Sequence, residues 1–270
     1  MLWIVKIGGS IISTADEQNQ FNEPTLKLIA SSLRALEHSL IIVHGTGYMS
    51  KEFARHNQIL HGKIEARKKQ TVTQCLLMLR NIHFTVLRIF VKAGIPAISI
   101  SPFAFCELRQ GQIKILHAEL LRTVLRRGFV PILHGDLIVN PRGDFTVCSS
   151  DALIAALARQ FPADRLLFAT DVAGVFRKDP KQFPGSECFE CLSPNTLKRL
   201  AQLPNDRNDV SGAMPAKLKA IQQVTNYFHH CYIFDGRLPE SWHTLIHLKK
   251  RAGTLILGNT KAVDERKAKN

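Results

Sequence analysis

Two short glycine-containing turns near the start of the chain carry the residues best suited to chemistry. Residues 6–10 (KIGGS) and 44–47 (HGTG) each follow an apolar run rich in β-branched residues. A strand that turns into a helix through glycines exposes main-chain N–H groups, which bind phosphate oxygens. A Cβ there would block both the turn and the approach of a ligand. Two such turns, with Lys6 at the first, indicate a protein that holds two phosphorylated groups face to face, as phosphoryl transfer requires.

The glycine turns match neither of two common phosphate-binding patterns. The Walker pattern is absent, and the Rossmann pattern would need glycine where Ser50 stands. A plain tight connection between a strand and a helix also uses glycine. The turns alone therefore leave both interpretations open.

Four further segments place small or charged residues beside the ends of apolar runs or at the start of a helix. They are residues 134–136 (HGD), 149–151 (SSD), 170–175 (TDVAGV) and 209–217, which includes Lys217. Each has a simple structural alternative, because Asp151 is also a typical helix-capping acid and Lys217 is also a typical solvated lysine. Their joint recurrence favours a ligand site, since ligands of α/β sheets bind beyond the carboxyl ends of the strands.

The composition fits one large domain or two close lobes in the cytoplasm. The chain has 270 residues, of which 45% are hydrophobic and 21% charged. We find neither an apolar run of the ~18 residues that span a membrane nor a secretory signal, and we expect no membrane partner. Six scattered cysteines are typical of a reducing compartment. Cys188 and Cys191 form a weak zinc pattern with residues 229–231 (HHC), and we expect no metal site in the protein itself.

The formal net charge of +14 raises the question of nucleic-acid binding. The basic residues are spread along the chain without an aromatic-interleaved stripe, so we expect no nucleic-acid partner. The charge indicates either a solvated surface or the attraction of anionic substrates into a cleft, and we prefer the second interpretation.

Apolar runs and helical patterns alternate along the chain. This alternation predicts an α/β fold, namely an αβα sandwich with a mainly parallel central sheet. We expect a single domain over 1–270, made of two lobes. The predicted divisions are a lobe at 1–162, a second lobe at 163–260 and a polar, frayed tail at 261–270.

Taken in order, these motifs resemble the amino acid kinase superfamily, and within it the isopentenyl phosphate kinases, with fosfomycin kinase next. The resemblance covers residues 2–257, and its specific parts are 130–136 (VPILHGD) and 170–175. It implies an αβα sandwich that is usually a homodimer. It also implies a small phosphorylated acceptor bound in the first lobe, ATP in the second, and Mg²⁺ bridging the ATP phosphates.

The resemblance implies roles for individual residues of this chain. The implied catalytic residues are Lys6, Lys51, Asp151 and Lys217. The implied substrate-binding residues are Gly8, Gly9, Ser10, Gly45, Thr46, Gly47, Gly135, Asp136 and Ser150. The implied nucleotide-binding residues are Lys6, Thr170, Asp171, Gly174, Gly212, Met214 and Lys217. In these roles the lysines neutralise phosphate charge, and Asp151 orients them rather than acting as a base.

Two positions depart from the family pattern. Lys51 stands where these kinases carry a histidine, and Ala15 stands where they carry a lysine. We hypothesise that Lys51 supplies the charge missing at Ala15; the alternatives are a different acceptor or loss of activity. Apolar residues within 69–93 and 97–106 would form a wall for a prenyl chain, although any buried helix shows such residues.

The sequence and the family resemblance leave three alternative functions. The first is ATP-dependent phosphorylation of isopentenyl phosphate to the diphosphate. The second is a kinase for another small phosphate or phosphonate, such as fosfomycin. The third is a catalytically silent homologue that binds nucleotide or anionic partners.

Overall fold

The computed structural model describes residues 1–13, 21–57, 59, 62–180, 182–203 and 213–268. Its strands are β1 (Leu2–Ile7), β2 (Ser39–His44), β3 (Lys63–Ile64), β4 (Ala97–Ser99), β5 (Cys106–Arg109), β6 (Gln112–Ile115), β7 (Val130–His134), β8 (Asp136–Val139), β9 (Phe145–Cys148), β10 (Ala163–Thr170), β11 (Cys191–Leu192), β12 (Phe228–Asp235) and β13 (Thr254–Leu257). Its helices are α1 (Gly9–Ile12), α2 (Glu23–Arg34), α3 (Gly47–His56), α4 (Lys69–Lys92), α5 (Pro102–Phe105), α6 (Ala118–Arg126), α7 (Ser150–Gln160), α8 (Pro194–Ala201), α9 (Ala213–Gln222), α10 (Pro239–Ile246) and α11 (Thr260–Lys267).

The described strands form one large sheet in the order β11-β13-β12-β10-β1-β2-β7-β4. All neighbouring pairs are parallel except β12 with β13. Side chains alternate across β1, so Ile4 packs on one face while Val5 packs on the other. Helices α7 and α9 contribute to the core on the Ile4 face of the sheet, and α2, α4 and α10 contribute to the core on the Val5 face. This architecture confirms the α/β prediction.

The order of the strands brings the candidate motifs to one edge. Strand β1 lies between β10 and β2, with Lys6 level with Phe168 on one side and Val43 on the other. Because these strands are parallel, the segments that follow them emerge together at the carboxyl edge. The first glycine turn therefore lies between the second turn and the loop at 171–174.

The C-terminal segment differs from our expectation of a frayed tail. Residues Thr260–Lys267 form α11, and Val263 on this helix is fully buried. Lys267 Nζ lies 2.6 Å from Asp164 Oδ1, and Asp264 Oδ1 lies 2.9 Å from His229 Nε2. One apolar anchor, one ion pair and one histidine–carboxylate hydrogen bond thus hold a segment whose composition alone predicts fraying.

Helix α4 is the single described helix with the length and mean hydropathy, 1.3, of a membrane span. Its inner face is buried against the sheet through residues such as Ile82, Val86 and Phe90. A buried amphipathic helix of a globular fold passes the same length test, and we interpret α4 as such a helix.

Candidate active site

Three charged side chains from three separate elements meet at the carboxyl edge of the sheet. Lys6 comes from β1, Asp151 from the first turn of α7, and Lys217 from α9. Asp151 Oδ1 lies 3.0 Å from Lys6 Nζ and 3.1 Å from Lys217 Nζ. All three residues are buried, in a site with little water. Two ammonium groups and one carboxylate give the cluster one net positive charge. A buried cation of this kind is suited to bind an anion.

Burial and mutual attraction determine the protonation of this cluster. Burial lowers the pKa of Lys6 to about 8, although the neighbouring Asp151 carboxylate opposes that shift. Burial would raise the pKa of Asp151, but the ammonium groups of Lys217 and Lys6 outweigh it and hold that pKa at about 2. The carboxylate is therefore ionised throughout the physiological range. Because both its oxygens face ammonium groups, it orients the lysines and is not available as a base.

The two glycine turns pack directly against each other. The Gly45 N–H donates to the Ile7 carbonyl at 2.8 Å. A Cβ at Gly45 would lie 2.5 Å from the Gly9 nitrogen, and one at Gly9 would lie 3.0 Å from the Gly47 nitrogen. Gly47 also has a φ of +69°, which favours glycine, and a Cβ there would overlap the Ser13 hydroxyl. Glycine is thus required by the contact between the turns as well as by each turn.

Two helices begin at this edge. Helix α3 starts at Gly47, and α7 starts at Ser150 after Ser149, whose hydroxyl caps the helix by accepting from the Ala152 N–H. The N-terminus of a helix carries partial positive charge and unpaired N–H groups. Both helices therefore add to the attraction for phosphate.

The loop that follows β10 lines the other side of the first glycine turn. Ser10 Oγ donates to Asp171 Oδ1 at 2.8 Å, and the Asp171 carbonyl accepts from Arg237 at 2.9 Å. Thr170 is buried, and its hydroxyl bonds within the fold to the carbonyls of Val172 and Phe234. Gly174 lets the loop approach Thr254 closely, because a Cβ there would lie 2.5 Å from the Thr254 hydroxyl.

Several of the implied residues lie apart from this cluster. Asp136 is buried, and its carboxylate accepts from Arg80, Ser101 and the N–H groups of Phe103 and Leu137. Lys51 is exposed on α3, and Met214 is partly buried on α9. Gly212 and Ala15 lie outside the described residues.

Sequence reasoning missed two polar residues on α4. Arg80 NH1 lies 3.0 Å from Asp136 Oδ1 and 3.2 Å from His134 Nε2, and His83 Nδ1 lies 2.9 Å from His44 Nε2. The available signal was the pair of polar residues on the buried side of an otherwise apolar helix. Buried polar side chains of this kind need partners.

Within the described part of the chain, no group of His, Cys, Asp or Glu residues is arranged to bind a metal ion. Cys188 instead contacts the Thr254 hydroxyl at 3.5 Å, and Cys191 is exposed. Asp151 is occupied by two lysines. Asp151 is thus not free to bind Mg²⁺, which prefers oxygen ligands and often uses those of substrate phosphates.

A sequence profile of the amino acid kinase family matches residues 1–235. The chain belongs to this family. Isopentenyl phosphate kinase from Methanothermobacter thermautotrophicus is 29% identical over 266 residues, which cover 94% of this chain and 98% of that protein. The enzyme of the same name from Methanocaldococcus jannaschii is 28% identical over 255 residues, 87% of this chain and 91% of that protein. A crystal structure of an isopentenyl phosphate kinase matches with a TM-score of 0.80 and 27% identity, covering 95% of this chain and 100% of that structure.

Proposed function

We propose that this amino acid kinase family member transfers the γ-phosphoryl group of ATP to isopentenyl phosphate. One observation carries the proposal: Lys6 and Lys217 share the buried Asp151 carboxylate beside two interlocked glycine turns. Two relatives named isopentenyl phosphate kinase match nearly the whole chain, so the likeness includes both sides of this site.

In the proposed reaction the two substrates meet above Lys6. The turn at 45–47 and the start of α3 bind the acceptor phosphate, with Gly135 and Ser150 nearby. Gly8, Gly9 and Ser10 cradle the transferring group, and the loop at 170–174 borders the nucleotide. An oxygen of the acceptor phosphate bonds to the γ-phosphorus as the bond to the β–γ bridging oxygen breaks, and ADP leaves. An acceptor that is already a phosphate is ionised at neutral pH and needs no strong base.

The charges of the protein bind the phosphates and also act during transfer. Lys6 and Lys217 neutralise the charge that moves to the leaving oxygens, and Asp151 holds both ammonium groups in place. In this proposal Asp136 supports the protein wall behind the turn at 45–47 and does not contact the substrate. We propose that Mg²⁺ enters with ATP as part of the substrate, since Asp151 is occupied by lysines.

A small apolar cluster beside α3 supports an acceptor with a hydrocarbon chain. Ile64, Val72, Leu79 and Leu137 are buried in it, and Phe53 of α3 packs against them. The apolar wall expected from residues 69–93 and 97–106 is not continuous. Ile100 and Phe105 belong to the core on the Ile4 face of the sheet, whereas Phe84 is exposed.

One feature favours a second candidate acceptor. Lys51 departs from the histidine that isopentenyl phosphate kinases and fosfomycin kinase both carry, so it leaves open a kinase for another small phosphate or phosphonate, including fosfomycin. The intact Lys6–Asp151–Lys217 cluster opposes a catalytically silent protein, which has no need of two buried lysines on one carboxylate.

We further propose a homodimer in the cytoplasm, with the acceptor lobe at 1–162 and the nucleotide lobe at 163–260. All six cysteines are free thiols, as expected in a reducing compartment. An exposed apolar stripe on α4, formed by Leu77, Phe84 and Val91, supports a second copy as the partner.

The test is ADP release with MgATP and isopentenyl phosphate, dimethylallyl phosphate or fosfomycin at matched concentrations. We expect turnover with the prenyl phosphates and little with fosfomycin. Turnover with fosfomycin alone would establish the second candidate. ATP binding without turnover on any of the three would contradict the proposed reaction.

A further inference from the structure

Three buried histidines lie beside the second glycine turn, at residues 44–47, and beside Gly135. His44 ends β2 and His134 ends β7, where the two are level in the sheet, and His83 reaches them from α4. Their ring centroids are 4.5 to 5.6 Å apart. Burial lowers the pKa of His44 to about 4 and that of His134 to about 3, so both rings are neutral at physiological pH. None of these rings has a role in the proposed transfer.

The hydrogen bonds of a neutral histidine fix the position of its proton. A carbonyl only accepts, so the 2.7 Å contact between His44 Nδ1 and the Gly45 oxygen requires a proton on Nδ1. The unprotonated Nε2 then accepts from His83 Nδ1 at 2.9 Å. His83 Nε2 in turn accepts from the Ser99 hydroxyl at 2.7 Å. The chain of donors therefore runs in one direction, from Ser99 to the Gly45 carbonyl.

The same arrangement recurs on the neighbouring strand. His134 Nδ1 lies 2.8 Å from the Gly135 carbonyl, and its Nε2 accepts from Arg80 at 3.2 Å. Arginine cannot accept, so the proton of His134 also resides on Nδ1. Each strand thus ends in a histidine that binds the carbonyl of the glycine after it. Because every inward-facing nitrogen already has a protein partner, the cluster is not a metal site.

The contact at Gly45 also affects the turn at 45–47, which binds the acceptor phosphate in the proposed reaction. The peptide unit is planar and trans, so its C=O and N–H point in opposite directions. With the Gly45 carbonyl held by His44, the N–H of Thr46 faces away from the histidines. No described residue accepts a hydrogen bond from the N–H of Thr46 or Gly47. Within the described part of the chain, these two main-chain donors are available to a ligand.

We propose that His44 is a positioning residue, which fixes the Gly45–Thr46 peptide so that its N–H points at the acceptor phosphate, and that His83 keeps His44 in the required tautomer. The assignment of the phosphate to this turn rests on the proposed function. The histidines act through the main chain and do not touch the reacting atoms.

The experiment compares His44→Asn with His44→Leu. Asparagine places an N–H donor near the position of Nδ1, whereas leucine removes the donor and keeps the apolar volume. We expect leucine to raise the KM for isopentenyl phosphate roughly tenfold, the value of one hydrogen bond, and asparagine to restore most of the loss. The KM for ATP should stay within about twofold in both variants, because the nucleotide side is not altered. Thr73→Ala, on the exposed side of α4, is the control.

A second measurement does not depend on activity. Nitrogen-15 NMR of the histidine rings in the wild-type protein reports which ring nitrogen carries the proton. We expect Nδ1–H for His44, and a change in the His44 ring signals when His83 is replaced by leucine.

The outcomes separate the two proposals. An Nε2–H tautomer at His44, or equal losses with asparagine and leucine, would overturn the positioning role. If the leucine variant does not fold, the wild-type tautomer and the asparagine kinetics decide. If wild-type protein does not phosphorylate isopentenyl phosphate, the proposed function fails, while the Nδ1–H tautomer still decides whether His44 holds the Gly45 carbonyl.

Discussion

Lys6 combines a buried position with a pKa lowered to about 8, close to neutral pH. Its charged form binds phosphate, so the free enzyme loses binding strength as pH rises through that pKa. We expect kcat/KM for ATP to fall above about pH 8, by up to tenfold per pH unit. The decline in kcat should lie at higher pH, because bound phosphate raises the pKa of the ammonium group. Measuring kcat and kcat/KM for ATP between roughly pH 6 and pH 10 tests this expectation.

Asp151→Asn provides the matched variant for this pH dependence. The Asp151 carboxylate raises the pKa of Lys6, so its loss should move the alkaline decline in kcat/KM to lower pH. We also expect kcat to fall roughly 100-fold or more, since both ammonium groups lose their support. Glu119→Gln, an exposed acid on α6, is the control. A decline at the same pH in Asp151→Asn and wild type would contradict the role given to this carboxylate.

Lys51 lies on α3 four residues after Gly47, which places the two on the same side of the helix. If it replaces the family histidine, Lys51→Ala should lower kcat with isopentenyl phosphate by roughly 100-fold, as does the loss of other groups that stabilise transition-state charge. Lys51→His should keep much of the activity. Lys27→Ala, an exposed lysine on α2, serves for comparison. Near-normal turnover of Lys51→Ala would exclude the compensating exchange with Ala15.

At the scale of elements, the contact between the glycine turns determines how the two substrates face each other. Gly45→Ala would place a Cβ 2.5 Å from the Gly9 nitrogen, main chain against main chain, where neither turn is able to yield. We expect a large loss of kcat/KM together with a lower melting temperature. Gly185→Ala is the matched control, because a Cβ there meets no atom within 4 Å. Activity of Gly45→Ala equal to that of Gly185→Ala would show that the turns do not need this contact.

The elements were largely predictable from sequence, but the polar contacts between them were not. Strands such as β1 and β7 are mostly apolar runs followed directly by a glycine, so their positions follow from local pattern. The family resemblance implied that Asp136 binds substrate, but it gave no indication that Arg80 of α4 donates to this carboxylate in the interior. Arg80 and Asp136 are 56 residues apart, and no local pattern reports a pairing at that distance. The meeting of Lys6, Asp151 and Lys217 was inferred only through the family resemblance, for the same reason.

At the scale of the whole molecule, α4 carries two apolar faces. One is buried in the core, and the other is the exposed stripe at Leu77, Phe84 and Val91, which are 63%, 57% and 52% exposed. A spacing of seven residues keeps all three on one side of the helix. Exposed apolar stripes of this kind mark association sites, and the twofold contact of a homodimer would cover the stripe with its own copy.

Phe84→Glu tests this assembly, because it places a charge at the centre of the stripe. We expect wild-type protein to elute with the mass of a dimer in size-exclusion chromatography with light scattering, and Phe84→Glu with that of a monomer. Leu120→Glu removes an exposed leucine of α6 and should leave the dimer unchanged. The catalytic cluster lies within one chain, so the monomeric variant should retain part of its turnover. A wild-type monomer would overturn the proposed homodimer, and a Phe84→Glu variant that remains dimeric would place the association surface elsewhere than on α4.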